Sequence, residues 1–467
     1  MVYLLLENDK IPLGNFTFLF DVTQNVDLFY KFYNAEKNIK VDYIDFAHKM
    51  RLAFEAFALE EEAKKRKLED EYKELPLEGI KENILTELKE PASLLNYKTI
   101  VIGLCDGREM EFSDVLLRYS FVKRISSEED VRRKLKAYIR FLYAFGSENS
   151  HENVSVEENY LANKENCLRV IGSFHDFLCA YYRVDKKYDC TLTPIRDYIP
   201  VPKAVVEKMG LSLDSGRYLF VKECRGKIAY YIFSSDREDI GIGQRRDMDT
   251  LSKLWDDNLQ DPANVIRKTD SISSSNGDYK FQIYSLPGKP LRLSLDFLQK
   301  LSTEEKLDII AGLCKGLESV HRYETPLYHR NVNPDAFYIF NIRGKYKPLL
   351  AKFDCIKDTG NADFTVQQNV ERKMRNPKTN HFFAPEVLTN HMGQGVDWKK
   401  ADIFALGKTC LYILSGGEIG DEDMIRVIDG CGISDNIKIV LMEMLSSNPA
   451  DRPELVDLMD ALAGQGT

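Results

Sequence analysis

Residues 328–340, Tyr-His-Arg-Asn-Val-Asn-Pro-Asp-Ala-Phe-Tyr-Ile-Phe, constrain this chain more than any other stretch. A strongly amphipathic helix leads straight into them. Over 303–322, Leu307, Ile310, Ala311, Leu313, Cys314, Leu317 and Val320 recur at helical spacing. Beyond the stretch, Lys347–Phe353 reads as a strand. Residues 358–380 carry almost no apolar periodicity and are expected to form a mobile segment. His381-Phe-Phe-Ala-Pro-Glu386 follows, and helices are predicted over 401–414 and 434–446. The chain closes on Asn448-Pro-Ala-Asp-Arg-Pro453 and a last short helix.

Two further regions precede this one. Tyr198-Ile-Pro-Val-Pro202 marks the boundary between them, because its two prolines favour an extended link. Before it the chain reads as helical. Phe16, Phe18, Phe20, Phe29, Tyr30, Phe32 and Tyr33 are dense enough to form a core. A long helix is predicted over 43–75, apolar along Phe46, Met50, Phe54 and Phe57, then mixed in charge from Glu60 until Pro76 ends it. Lys64–Lys67 is flanked by acids and reads as part of a solvated face. Helices over 127–145 and 156–182 bracket Gly146 and His151. After the boundary the period changes. Arg217–Lys222 and Lys227–Phe233 are strand-like, joined at Arg225-Gly226. A helix over 244–259 and a strand over Tyr279–Tyr284 then lead into Leu286-Pro-Gly-Lys-Pro-Leu291.

Composition narrows the function classes. The net charge of −9 is spread along the chain and argues against nucleic acid or an anionic membrane as partner. No stretch approaches the roughly 20 apolar residues of a membrane span. The first residues lack a cationic signal-peptide start. None of the nine cysteines falls in C-x-x-C spacing, which suits reduced thiols in a cytoplasmic protein.

Residues 328–340 resemble the catalytic loop of protein kinases, H-R-D-L-K-P-E-N followed by an apolar strand. His329, Arg330 and Pro334 match. The resemblance covers about residues 205–465 and implies an α+β protein: an all-α N-terminal domain (1–200) followed by a two-lobed protein-kinase-like fold, with a small mainly β lobe (201–287) and a large mainly α lobe (288–467). Ala384-Pro385-Glu386 resembles the A-P-E motif, with Arg452 placed to pair with Glu386. Asp402 resembles the helix Asp that accepts hydrogen bonds from the catalytic-loop backbone, and Gly407 the glycine after it. Within that family the set resembles the bacterial kinase-like domains of phage-defence systems.

The residues that would perform phosphoryl transfer are replaced. The family's catalytic base is Asn331 here, and a neutral amide takes up no proton near neutral pH. The family's Lys is Asn333, and its metal-binding Asn is Ala336. D-F-G aligns with Lys352-Phe353-Asp354, which puts Lys352 where a metal ligand belongs. A two-residue slip would make Asp354 that ligand. Gly226 stands alone in the turn matching the Gly-rich loop, and Ala229-Tyr-Tyr-Ile-Phe233 has no Lys where V-A-I-K would place one. Gly241-Ile-Gly243-Gln-Arg245-Arg246 reads as a loop. Residues of about 10–200 resemble a bacterial helical module of HEPN-like type. Its nucleases carry an Arg five residues before the His, and that position is Gly146, so His151 reads as a capping or packed histidine.

The resulting expectation is a pseudokinase that acts as a binding, scaffold or regulatory component with protein partners in bacterial phage defence, with a homodimer through the N-terminal helices. ATP and Mg are the cofactors implied by the family, and the residues present give them little support. The rival readings are an atypical kinase or nucleotidyl transferase using Asp354, with Asp335, on a metal, and an N-terminal domain that contacts nucleic acid. Asp335 occupies the family's Glu position, which faces away from the phosphates.

Overall fold

The computed structural model describes residues 2–57 except 7 and 55, 162–211 except 183, 213, 217–235, 264–359, 367–390, 395–417 and 424–464. The mixed-charge helix over 60–75 with Lys64–Lys67, the helix over 127–145, Gly146, His151, the helix over 244–259, and Gly241, Gly243, Arg245 and Arg246 lie outside the described residues. The chain divides into two units, residues 1–202 with 273–278, and residues 203–272 with 279–467.

The first unit opens on two antiparallel strands, β1 (Tyr3–Leu6) and β2 (Asp9–Pro12), paired from Tyr3↔Pro12 to Leu6↔Asp9. This corrects the all-helical expectation. Leu4 and Leu6 are buried while Leu5 is exposed, the alternation of a strand, but three consecutive leucines hide it in the sequence. Helices follow at α1 (Thr17–Thr23) and α2 (Val26–Glu36), then α3 over 43–54 and α4 (Lys164–Tyr182), and the unit ends near the short strand β3 (Ile199–Pro200). Asn25 caps α2 by accepting from the Leu28 backbone N–H at 2.9 Å. The predicted aromatic core is present. Phe32 lies 5.1 Å from Phe16 and 5.3 Å from Phe174, and Phe174 lies 5.0 Å from Phe54. Residues 273–278 join this unit through the Ser275 N–H donating to the Val41 carbonyl at 2.9 Å and Tyr43 Oη donating to Asp278 at 3.1 Å.

Glu36 is fully buried beneath that core. Its carboxylate accepts from Asn15 Nδ2 at 2.7 Å and from the Asn15 backbone N–H at 3.1 Å. Asn15 in turn exchanges hydrogen bonds with the Asp189 backbone at 2.8 and 2.9 Å. One buried acid thus ties the start of α1 to the segment after α4.

In the second unit, α5 (Lys203–Lys208) precedes strands β4 (Arg217–Cys224), β5 (Lys227–Ser235), β6 (Arg267–Ser273) and β7 (Lys280–Leu286). They lie side by side in the order β4-β5-β7-β6. The β4–β5 turn is Arg225-Gly226, both with positive φ (52° and 73°), which matches the twist of the flanking strands. Then come α6 (Leu295–Leu298), α7 (Thr303–His321), β8 (Leu327–Tyr328), the hairpin β9 (Phe337–Ile342) with β10 (Lys345–Leu350), and β11 (Lys357–Asp358) paired with β8. Helices α8 (Gln367–Met374), α9 (Pro385–Thr389), α10 (Trp398–Ser415), α11 (Met424–Gly430), α12 (Asp435–Met444) and α13 (Leu455–Ala463) complete it.

Three features of this unit position its site. Ser302 and Glu305 form a capping box that starts α7 just before the long apolar face. Gly316 lets α7 approach the preceding chain, since a Cβ there would lie 2.8 Å from the Asn264 carbonyl oxygen. Helix α10 is apolar on nearly every side and runs through the core. Two expectations change. The strand after β9 ends at Leu350 rather than Phe353, because Lys352 turns left-handed (φ 60°). The stretch expected to be mobile contains helix α8, which buries Val370 with Met374 four residues on packed against the same cluster. Two apolar residues are too few to show a period in the sequence. Among the described residues no helix is long and apolar enough to cross a membrane.

Burial pushes the Glu36 carboxyl up to about 7, against the pull of its Asn15 donors. The folded protein therefore holds this proton more tightly than the unfolded chain does. The contribution of Glu36 is fully present below pH 4.5 and is lost as pH rises toward 7. A Glu36→Gln variant is expected to lose less stability than the parent between those pH values, the difference being on the order of 3 kcal/mol. Chemical denaturation at a series of pH values measures it, and parallel curves for the two proteins would contradict it.

Candidate functional site

Helix α10 delivers one carboxylate, Asp402, into the core of the second unit, where it is almost wholly enclosed. Its two oxygens accept the backbone N–H of His329 at 2.7 Å and of Arg330 at 2.8 Å. His321, at the end of α7, adds a third donor through Nε2 at 3.1 Å. Buried N–H groups need partners, and a carboxylate accepting from them gives hydrogen bonds stronger than neutral ones. Arg330 is held with φ 57°, a left-handed conformation that costs a non-glycine residue free energy. Its side chain offsets that cost: Nε donates to the Cys355 carbonyl at 2.7 Å, and the guanidinium lies 4.8 Å from the Trp398 ring centroid. His329 Nε2 donates to the Ala351 carbonyl at 2.9 Å. The loop 329–333 and the segment 351–355 are therefore bound to each other at two points.

Within this frame the side chains at 331, 333 and 336 are two amides and a methyl group. Asn333 Nδ2 donates to the Asn331 carbonyl at 2.8 Å and to Asn331 Oδ1 at 3.0 Å, while Asn333 Oδ1 accepts from the Asp335 N–H at 2.9 Å. The two asparagines hold each other, and both are buried. Ala336 is buried and its carbonyl accepts from the Ala351 N–H at 2.9 Å. Asp335 turns to a partly exposed pair with Arg292 at 3.3 Å.

Beside the loop is a small cavity lined by Arg217, Ile232, Ile266, Tyr284, Tyr338, Ala351 and Lys352. Lys352 is buried in this lining, whereas Asp354 is not part of it. Asp354 sits in a short 3-10 turn, Phe353–Cys355, next to Lys373 of α8 at 3.5 Å. The two candidates for the metal position are thus separated, the cation facing the cavity and the acid paired elsewhere. Gly226 stands in the β4–β5 turn and does not line the cavity. Among the described residues no group of three or more His, Cys, Asp or Glu side chains is placed to hold a metal ion. The described residues at the aligned metal positions do not fit a Mg ion. The side chains of Lys352 and Ala336 offer a divalent cation no oxygen ligand.

The residues expected to hold the fold come together. Arg452 makes a fork to Glu386, Nη1 to Oε1 at 2.6 Å and Nη2 to Oε2 at 2.8 Å. Its remaining donors reach the Ser446 carbonyl at 2.9 Å and the Lys400 carbonyl at 3.0 Å, and Phe404 lies under the guanidinium. Ala384 and Pro385 start α9, which carries Glu386 to that fork. Gly407 lets α10 meet α12, since a Cβ there would lie 3.2 Å from both Met444 Cβ and Leu445 Cδ2. Arg217 and Lys373 were missed in the sequence. Arg217 had no motif around it, and its place in the cavity depends on strand register.

No protein-family model matches the chain. The chain is similar to a Wee1-like protein kinase of Oryza sativa subsp. japonica, 26% identical over 176 residues, covering 36% of this chain and 30% of that protein. It is also similar to a probable serine/threonine-protein kinase of Dictyostelium discoideum, 25% identical over 170 residues (35% of this chain, 21% of the other). A third relative is the serine/threonine-protein kinase ppk30 of Schizosaccharomyces pombe, 24% identical over 185 residues (36% and 18%). The chain spans less than a third of the length of these relatives. The similarities support a protein-kinase-like domain.

The fork predicts a large stability effect far from the cavity. Removing one partner leaves the other charge without its mate, so Arg452→Ala should cost about 3–5 kcal/mol. Equilibrium unfolding in urea checks it, and a loss below about 1 kcal/mol, the worth of an exposed pair, would contradict it.

Proposed function

We propose that this chain is a pseudokinase, a protein-kinase-like domain that keeps its internal scaffold without the groups that transfer phosphate, and that it works by binding, as a scaffold or regulatory component. The observation that carries this reading is the contrast inside one loop. The backbone of His329 and Arg330 is anchored on Asp402, while the positions for base and metal hold Asn331, Ala336 and Lys352. Transfer needs the nucleophile deprotonated and the phosphoryl charge neutralised, and these side chains do neither. The pairing of Asp354 with Lys373 speaks against the rival reading, in which Asp354 holds a catalytic metal. The functional partner on this reading is another protein. The helical-module resemblance extends the proposal to a bacterial defence setting and to pairing of two copies through residues 1–200, which light scattering reads directly.

Incubation with labelled ATP and Mg or Mn is expected to put no label on the protein or on a general acceptor. Restoring the base alone, Asn331→Asp, is expected to leave transfer undetectable, because the metal ligands stay absent. Label incorporation by the parent protein that disappears in Asp354→Ala would overturn the proposal.

A further inference from the structure

The first unit buries an acid without a counter-ion at its side. Glu36, the last residue of α2, is 0% exposed, and among the described residues its carboxyl forms no salt bridge. Lys40, the cation that acts on it, donates to the Cys190 carbonyl at 2.8 Å. A Cβ on Gly14 would collide with Glu36 Oε2, so the carboxyl is packed against backbone and solvent is shut out on that side. We propose that Glu36 is a proton-operated clasp: protonated, it seats the segment 188–193 on α1 and α2, and ionised, it lets that segment go.

Asn15, just before α1, stands between the acid and the segment. Its backbone N–H lies 3.2 Å from Oε1 and 3.1 Å from Oε2, and its Nδ2 donates to Oε1 at 2.7 Å. On its other side the same Nδ2 donates to the Asp189 carbonyl at 2.9 Å, and Oδ1 accepts from the Asp189 N–H at 2.8 Å. The Tyr188 hydroxyl bonds to the Glu36 carboxyl and lies 2.8 Å from Thr193 Oγ1. With the acid protonated, Oε1 alone accepts both Asn15 donors, and the site carries no buried negative charge. With the acid ionised, a full charge sits in a dry site, and opening to water relieves its cost. Residues 189–191 are exposed, so hydrogen bonds rather than apolar burial hold that part of the segment.

Burial outweighs the hydrogen-bond donors and pushes the Glu36 carboxyl up to about 7. Because the buried group holds its proton more tightly than the solvated one, the closed clasp is favoured below pH 4.5 and loses that support as pH rises through 7. The groups around it are few. Tyr33 of α2 and Tyr188 are both held well above the usual phenol range by burial and stay neutral across this window. His175 of α4 bonds to the Asn15 backbone, and burial holds it below the usual imidazole range. Its titration is the one that would imitate Glu36, and replacing Glu36 separates the two. The clasp turns the stability effect of Glu36 into a local event, the release of the chain between α4 and β3. It does not rest on the kinase reading of the second unit.

Amide hydrogen exchange of the full chain at roughly pH 5 and pH 7.5, divided by the intrinsic rate at each pH, tests it at Asn15 and Asp189. In the parent protein the opening of both amides is expected to increase at least tenfold from the lower pH to the higher. In Glu36→Gln, which keeps the shape and cannot ionise, it is expected to change less than twofold. At both pH values these amides should exchange faster than those of α4. If Glu36→Gln does not fold, Tyr188→Phe decides the matter: it removes a donor to the carboxylate, so the increase should continue to a higher pH than in the parent. Opening that is flat with pH in the parent overturns the proposal, as does an equal increase in Glu36→Gln or an unmoved one in Tyr188→Phe. Exchange of Asn15 and Asp189 at the rate of the α4 amides also overturns it, because the event is then unfolding of the whole unit.

Discussion

The second unit depends on the contact between the Asp402 carboxylate and two backbone N–H groups. A helix buried on nearly all sides is a costly place for a charge, and the cost is offset only because the carboxylate satisfies the amides of His329 and Arg330 and the imidazole of His321. From that point the constraints spread outward. Arg330 is held left-handed and reaches Cys355, His329 reaches Ala351, and the segment 351–355 takes the turn that aims Lys352 into the cavity. None of these interactions uses the chemistry of the side chain at 331. A loop built this way keeps its shape without relying on the side chain at 331.

The side chains of the loop have a structural role of their own. Asn331 and Asn333 bond to each other, so the two amides stabilise the loop locally. Lys352, which lines the neighbouring cavity, and Ala336 carry no side-chain oxygen that could hold a divalent cation.

Much of the scaffold was legible in the sequence because it rests on ordered motifs. Glu386, Asp402, Gly407 and Arg452 were assigned by their spacing, and the contacts of each follow from that assignment. What escaped was set by pairing or by burial. Arg217 reaches the cavity only because β4 and β5 pair Arg217 with Ser234, and no local pattern encodes that register. Helix α8 escaped because its buried face holds only Val370 and Met374. The strands at the start escaped because Leu4-Leu5-Leu6 is apolar throughout, and the exposure of Leu5 alone shows the alternation. The aromatic clustering of Phe16, Phe32, Phe54 and Phe174 was legible from density alone, whereas the buried Glu36 beneath it was not.

The central claim is that Asp402 holds the loop in shape independently of catalysis. Amide hydrogen exchange at His329 and Arg330 tests it most directly, in the parent protein and in Asp402→Ala. The account predicts that both amides are among the slowest to exchange in the second unit, and that the substitution speeds them by at least a hundredfold relative to amides in α13, or about 3 kcal/mol of protection. Fast exchange of these amides in the parent, or equal rates in both proteins, would contradict it.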